Sequence, residues 1–259
     1  MSALLVAGCA VAGLAVGSFL NVVIHRVPRK ESVVRPRSRC PQCGTQIAER
    51  DNIPVVSWLA LRGRCRSCHA RIPVRYPLVE GATAVLFAAV AVRFGLSAEL
   101  PAFCIFLGAL LALALIDLEH FLLPSRIIYS TLLIESVVLG ITAVVDQRWV
   151  TLEHAVIAGL AAFLAFFVIH FIYPAGMAWG DLRLAGLIGF VLGWLGYQYV
   201  LVGLFLAFLT ASVVGIGLIA AKRATGKTPI PFGVFLALGA AVAVLWGQPL
   251  ARLWLHRGA

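Results

Sequence analysis

Gly176-Met177-Ala178-Trp179-Gly180-Asp181-Leu182-Arg183-Leu184 places a carboxylate and two glycines at the entrance to an apolar stretch, residues 184–221. A helix crosses about 30 Å of hydrocarbon in roughly 20 residues, so this stretch is too long for a single crossing. It is weakest over residues 193–198, where Gly193, Gly196 and Gln198 interrupt a helix and Trp194, Tyr197 and Tyr199 suit a membrane interface. Two helices are therefore expected, with Asp181 at the start of the first. A carboxylate at membrane depth costs roughly 2.5–3.5 kcal/mol on insertion scales and so calls for a partner. The candidate is Asp117.

Composition supports the same class. The chain has 259 residues, of which 61% are hydrophobic and 12% charged. Soluble domains lie nearer about 45–50% and 25%. Further apolar runs occupy residues 3–24, 78–96, 100–118, 127–145, 152–172 and 230–246. Their length excludes the alternating ten-residue strands of an outer-membrane barrel, so the expected fold is an all-α, polytopic membrane bundle of about eight transmembrane helices. The first run has no basic segment before it and no small-residue cleavage site after it, and reads as a retained helix. Three parts follow: residues 1–24 as the first transmembrane helix, 25–77 as a basic polar loop, and 78–259 as the membrane-embedded part carrying the acidic pair.

The formal charge of +10 is concentrated beside the apolar runs. It reads as a topology signal, and nucleic acid is not an expected partner. Twelve of the 21 Lys and Arg residues fall between Arg26 and Arg75, which places that loop in the cytoplasm and the N-terminus outside. With eight alternating crossings, Arg126, Arg183, Lys222, Arg223 and Lys227 join the inside, while Arg93, Arg148, Arg252 and Arg257 lie outside. Asp117 and Asp181 then share the cytoplasmic side with the basic loop.

Within that loop, Cys40-Pro41-Gln42-Cys43 and Cys65-Arg66-Ser67-Cys68 stand 21 residues apart. Two such pairs offer four thiolates to one tetrahedral zinc, and four protein ligands make the site closed and structural. Disulfides are the rival reading, which a reducing cytoplasm opposes. Gly44 suits a tight turn after the first pair, and His69 after the second is either a spare ligand or a solvated loop residue.

Two readings of the acidic pair stand at this point. Aspartates brought together share a proton, so one activates water while the other polarises a peptide carbonyl, with Gly176, Ala178 and Gly180 lining the approach of an extended substrate. Alternatively, Asp181 caps the helix beginning near Leu182 and Asp117 pairs with Arg126 or Arg183. Glu135, midway along its apolar run, is a further buried carboxylate. A proton-coupled transporter relaying protons through Asp117, Glu135 and Asp181 is the contrasting function.

Further motifs in chain order carry a family resemblance: Gly17-Ser18-Phe19-Leu20-Asn21-Val22-Val23-Ile24-His25-Arg26, both Cys pairs, Arg75-Tyr76-Pro77-Leu78-Val79-Glu80, Ile116-Asp117, Gly180-Asp181 and Pro229-Ile230-Pro231-Phe232-Gly233. The pattern resembles the bacterial type IV prepilin peptidases, also called prepilin leader peptidase/N-methyltransferases. The resemblance implies an inner-membrane aspartic endopeptidase that removes the basic leader of type IV prepilins or type II secretion pseudopilins at the cytoplasmic face. It also implies N-methylation of the new amine from S-adenosylmethionine. A leader peptidase without the methyl step is the near alternative. Carried over residue by residue, the catalytic pair is Asp117 and Asp181, and the zinc ligands are Cys40, Cys43, Cys65 and Cys68. The chain departs from the family pattern at Ala178, Glu119 and Ser125, and has Arg183 where a lysine is usual. No Rossmann-type glycine fingerprint marks a nucleotide site, so the residues that hold the methyl donor are not read from motifs.

Overall fold

The structure, a computed structural model, describes residues 2–223, 225 and 228–255, and of residues 175 and 251–255 the backbone alone. Lys227 and Arg257, both used in the charge count, lie outside the described residues, as does the side chain of Arg252. Two compact units make up the chain, Met1–Leu100 and Pro101–Ala259.

The first unit pairs α1 (Ala3–Arg26) with α3 (Arg75–Phe94), and the basic loop between them carries a single 3-10 turn, Glu49–Asp51, and one short α-helix, α2 (Val56–Ala60). Small residues set the pairing. A Cβ on Gly13 would lie 2.7 Å from the Ala84 Cα, and one on Gly17 would lie 2.7 Å from the Glu80 Cα. Advancing along α1 thus means retreating along α3, so the two helices run antiparallel at backbone contact. Lipid gives helices little hydrophobic reason to associate, and such close packing supplies the attraction instead. Two polar ties close the seam towards the loop: the Asn21 side-chain amide donates to the Tyr76 carbonyl at 3.1 Å, and the Val55 N–H donates to the Glu80 carboxylate at 2.7 Å.

The second unit contains α4 (Leu100–His120), α5 (Ser125–Val145), α6 (Trp149–Ile172), α7 (Trp179–Leu195), α8 (Tyr197–Ala220) and α9 (Phe232–Leu255). The expected division of residues 184–221 falls at Gly196, whose φ of +126° with ψ of 156° is open only to glycine. Seven of the described helices are long and apolar enough to cross a membrane. The eighth long helix, α7, has 17 residues, and twelve of them are buried. It packs against α5, α6, α8 and α9 and is the core helix of this unit. Gly189 and Gly193 let α6 approach it, since a Cβ on either would meet Ala158 at 2.6 Å or closer. Gly203 and Gly239 do the same between α8 and α9.

Candidate active site and metal centre

Asp117 lies in the last turn of α4, and the chain then turns through Phe121, held at φ +51° by an N–H bond back to the Asp117 carbonyl. Asp181 lies in the first turn of α7. Both carboxylates are buried, at 5% and 7% exposure, and they are within electrostatic reach of one another. Each is also held at a helix N-terminus. The Asp181 Oδ2 accepts the Ala178 N–H at 3.0 Å, and the backbone N–H groups of Gly233 and Val234, at the start of α9, approach the Asp117 carboxylate. Helix N-termini favour negative charge, which opposes the cost of burying it. The Asp117 Oδ2 is buried without a hydrogen-bond partner among the described residues. An orphaned oxygen of this kind can take a water or a polarised carbonyl.

Leu123 fixes the spacing of these parts. A Cβ on Gly180 would lie 2.8 Å from its Cβ, and one on Gly233 would lie 2.9 Å from its Cδ2 and 2.8 Å from the Asp117 Oδ2. The turn after α4 is therefore clamped between the starts of α7 and α9. Of the three loop residues expected to admit substrate, Gly180 makes room for Leu123 and Gly176 makes room for the Tyr173 ring. Ala178 is the extended residue before α7, at φ −84° and ψ 154°. Sequence reasoning missed Leu123 and Gly233 as site residues. The motif ending in Gly233 was visible, but its contact with Asp117 is set by the fold.

The capping alternative is met in altered form. Helix α7 begins at Trp179, not near Leu182, so Asp181 takes the third helical position and folds back on the preceding turn. Arg183 does not go to Asp117. Its guanidinium donates to the Ser125 hydroxyl and lies 5.7 Å from the Tyr129 ring centre. Two departures from the family pattern, at 125 and 183, are thus hydrogen-bonded to each other. His170 anchors the loop before α7, with its Nδ1 2.8 Å from the Met177 carbonyl. Glu135 is fully buried on α5, and neither of its oxygens has a hydrogen-bond partner among the described residues.

In the first unit, Cys40, Cys43, Cys65 and Cys68 bring their Sγ atoms within 4.8 Å of one another, all as free thiols. The Cys40 and Cys68 sulfurs are 3.8 Å apart. Four sulfurs about 2.3 Å from one zinc make a tetrahedron with edges of roughly that length, so the donor set fits and could hold zinc. The two halves are congruent turns. The Cys40 N–H donates to the Thr45 carbonyl and the Cys65 N–H to the Ala70 carbonyl, while Gly44 (φ +71°) and His69 (φ +57°) occupy the same left-handed position. His69 is a turn residue and is not among the four clustered ligands.

Hydrogen bonds prepare the thiols unequally. The Thr45 hydroxyl brings Cys43 down to about 6. The Ala70 N–H pulls Cys68 down, yet desolvation and the neighbouring sulfurs outweigh it and push the thiol up to about 11. A divalent ion would remove that disparity by holding all four as thiolates.

Fold and site together define a polytopic helical membrane protein with a paired-carboxylate centre and a four-cysteine cluster. Residues 11–94 match the bacterial peptidase A24 N-terminal domain and residues 104–219 the type IV leader peptidase family. The chain belongs to that family. It is 35% identical over 272 residues to a Pseudomonas aeruginosa protein named prepilin leader peptidase/N-methyltransferase, covering 94% of this chain and 91% of the relative. A protein of the same name from Stutzerimonas stutzeri is 36% identical, covering 95% and 92%. One from Myxococcus xanthus is 40% identical over 224 residues, covering 84% of this chain and 64% of the relative. No solved structure matches the chain.

Proposed function

We propose that this protein cleaves the leader from prepilins or pseudopilins and N-methylates the amine so exposed. The relatives' shared name supports both activities. The reading of the residues rests on one observation: two buried aspartates, within electrostatic reach, each set at a helix N-terminus. In this reading Asp117 and Asp181 share one proton. The ionised carboxylate takes a proton from water as the oxygen attacks the scissile carbonyl, and the protonated one donates to the carbonyl oxygen. Collapse of the tetrahedral species breaks the C–N bond, with a proton delivered to the leaving amine. Products are the leader's carboxyl terminus and a free N-terminal amine.

Orientation belongs to the same proposal. The basic loop, residues 25–77, lies in the cytoplasm with Cys40, Cys43, Cys65 and Cys68 holding a structural zinc, and the carboxylate pair opens to the cytoplasmic face of the inner membrane. S-adenosylmethionine supplies the methyl group. The transporter reading gains nothing from the relatives, and Glu135 is better accounted for as a buried group outside the acidic pair.

The test is proteolysis of a prepilin in membranes, with Asp117→Asn and Asp181→Asn as separate variants and mass spectrometry of the product N-terminus. Wild-type protein removes the leader and adds about 14 Da to the new terminus, whereas each variant leaves the leader in place. Removing one member of a catalytic pair costs on the order of 10³-fold or more in rate. Turnover near wild type in either variant would refute the pair.

A further inference from the structure

The relatives' name requires a methyl donor, and Asp117 and Asp181 offer nothing that recognises one. The first unit does. One stripe of α1, running from Ala15 to Arg26, faces the loop across a cavity of about 420 Å³. Pockets that hold ligands of cofactor size span roughly 300–1,000 Å³. The loop side is built by the first cysteine turn. Its incoming and outgoing arms are joined where the Ile47 N–H donates to the Ser38 carbonyl at 2.9 Å and Arg39 bridges to Gln46. Arg26 pins the far rim, donating to the Ser32 carbonyl at 2.9 Å and the Pro36 carbonyl at 2.8 Å.

The cavity lining is chemically mixed. Arg37, Glu49 and Asn52 line it from exposed positions, and none of their side chains has a hydrogen bond or ion pair among the described residues, which leaves all three available to a ligand. Phe19, 52% exposed, presents a ring from α1. S-adenosylmethionine carries a carboxylate, an ammonium group, a sulfonium, a ribose diol and a flat adenine. A guanidinium matches the carboxylate, an acid matches the ammonium, an amide suits the diol, and an aromatic ring suits the adenine. An anionic lipid headgroup would be recognised by Arg37 but repelled by Glu49, so the pair of opposite charges favours a zwitterion.

We propose that the cavity between α1 and the first cysteine turn is the methyl-donor site, with Arg37 and Glu49 gripping the two ends of the amino-acid moiety and Phe19 flanking the base. This rests on the methyltransferase reading above. When bound, the donor supplies a methyl group from its sulfonium, which becomes a thioether, and the accepting amine gives up a proton. The donor site is also tied to the cysteine cluster, because both loop arms that line it lead into Cys40 and out of Cys43.

The experiment is calorimetric titration of the detergent-solubilised full chain with S-adenosylhomocysteine, which binds such sites but transfers nothing. Wild type should show saturable binding at about one molecule per chain. The double variant Arg37→Ala/Glu49→Ala should bind at least about tenfold more weakly, the effect of losing about 1.4 kcal/mol. Arg126→Ala, which removes an exposed charge that does not line the cavity, should bind as wild type does. If the double variant melts below wild type, Glu49→Gln alone decides by the same threshold. Absence of saturable binding to wild-type protein that methylates cleaved prepilin overturns the proposal, and so does a weakening smaller than tenfold. Wild-type protein that adds no methyl group to prepilin defeats the methyltransferase reading instead, and the mass of the product N-terminus distinguishes the two failures.

Discussion

Gly233 is the residue on which the geometry of the acidic pair is most exposed to test. An added Cβ there would sit 2.8 Å from the Asp117 Oδ2, closer than carbon and oxygen tolerate, and 2.9 Å from Leu123. Gly233→Ala should therefore turn the carboxylate while leaving the membrane helices intact. Misplacement of a catalytic group by an ångström costs on the order of 10²-fold, so prepilin cleavage should fall by at least tenfold with little change in thermal unfolding. His69 is open to test in the same way. It shares with Gly44 the left-handed turn position that glycine occupies without cost. His69→Gly should keep one zinc per chain by elemental analysis, and Cys68→Ser should lose it. The burial of both aspartates and the clustering of the four cysteines were legible in the sequence, because charge in an apolar run and paired CxxC spacing are local signals. Leu123 was not, being an ordinary leucine until the starts of α7 and α9 close on it.

Gly196 sets where one helix ends and the next begins. It separates α7 from α8 at φ +126° and ψ 156°, and a Cβ would also meet the Gln198 side chain at 2.9 Å. Gly196→Ala should destabilise the protein by about 1–3 kcal/mol, read as a lower melting temperature in detergent. Its position was visible because glycine and interfacial aromatics punctuate an apolar stretch too long for one helix. The start of α7 was less visible. Asp181 looks like a cap from its place before Leu182, yet the helix begins at Trp179 because the Asp181 side chain satisfies the Ala178 N–H from within the first turn. Pairing of α1 with α3 was equally hidden, for it depends on Gly13 and Gly17 meeting small backbone surfaces some seventy residues away.

Over the whole molecule, the arginine distribution predicts an orientation that reporter fusions can check. Alkaline phosphatase, active only outside the cytoplasm, should be active when fused after Gly95 or Arg148 and inactive after Arg62 or His120. The reverse pattern would invert the proposed face of cleavage. At about 1.5 Å per residue the seventeen residues of α7 span roughly 26 Å, a few ångströms less than the hydrocarbon layer. A lipid-facing helix of that length would suffer hydrophobic mismatch, at a cost of fractions of a kcal/mol per ångström. Helix α7 faces protein on most sides, so in a bilayer its four neighbours would take up the mismatch and the acidic residue at its start would be insulated from bilayer thickness. Leader cleavage in vesicles should then stay nearly constant as the lipid acyl chains are lengthened, and the enzyme should work equally well in membranes of different sterol-free composition.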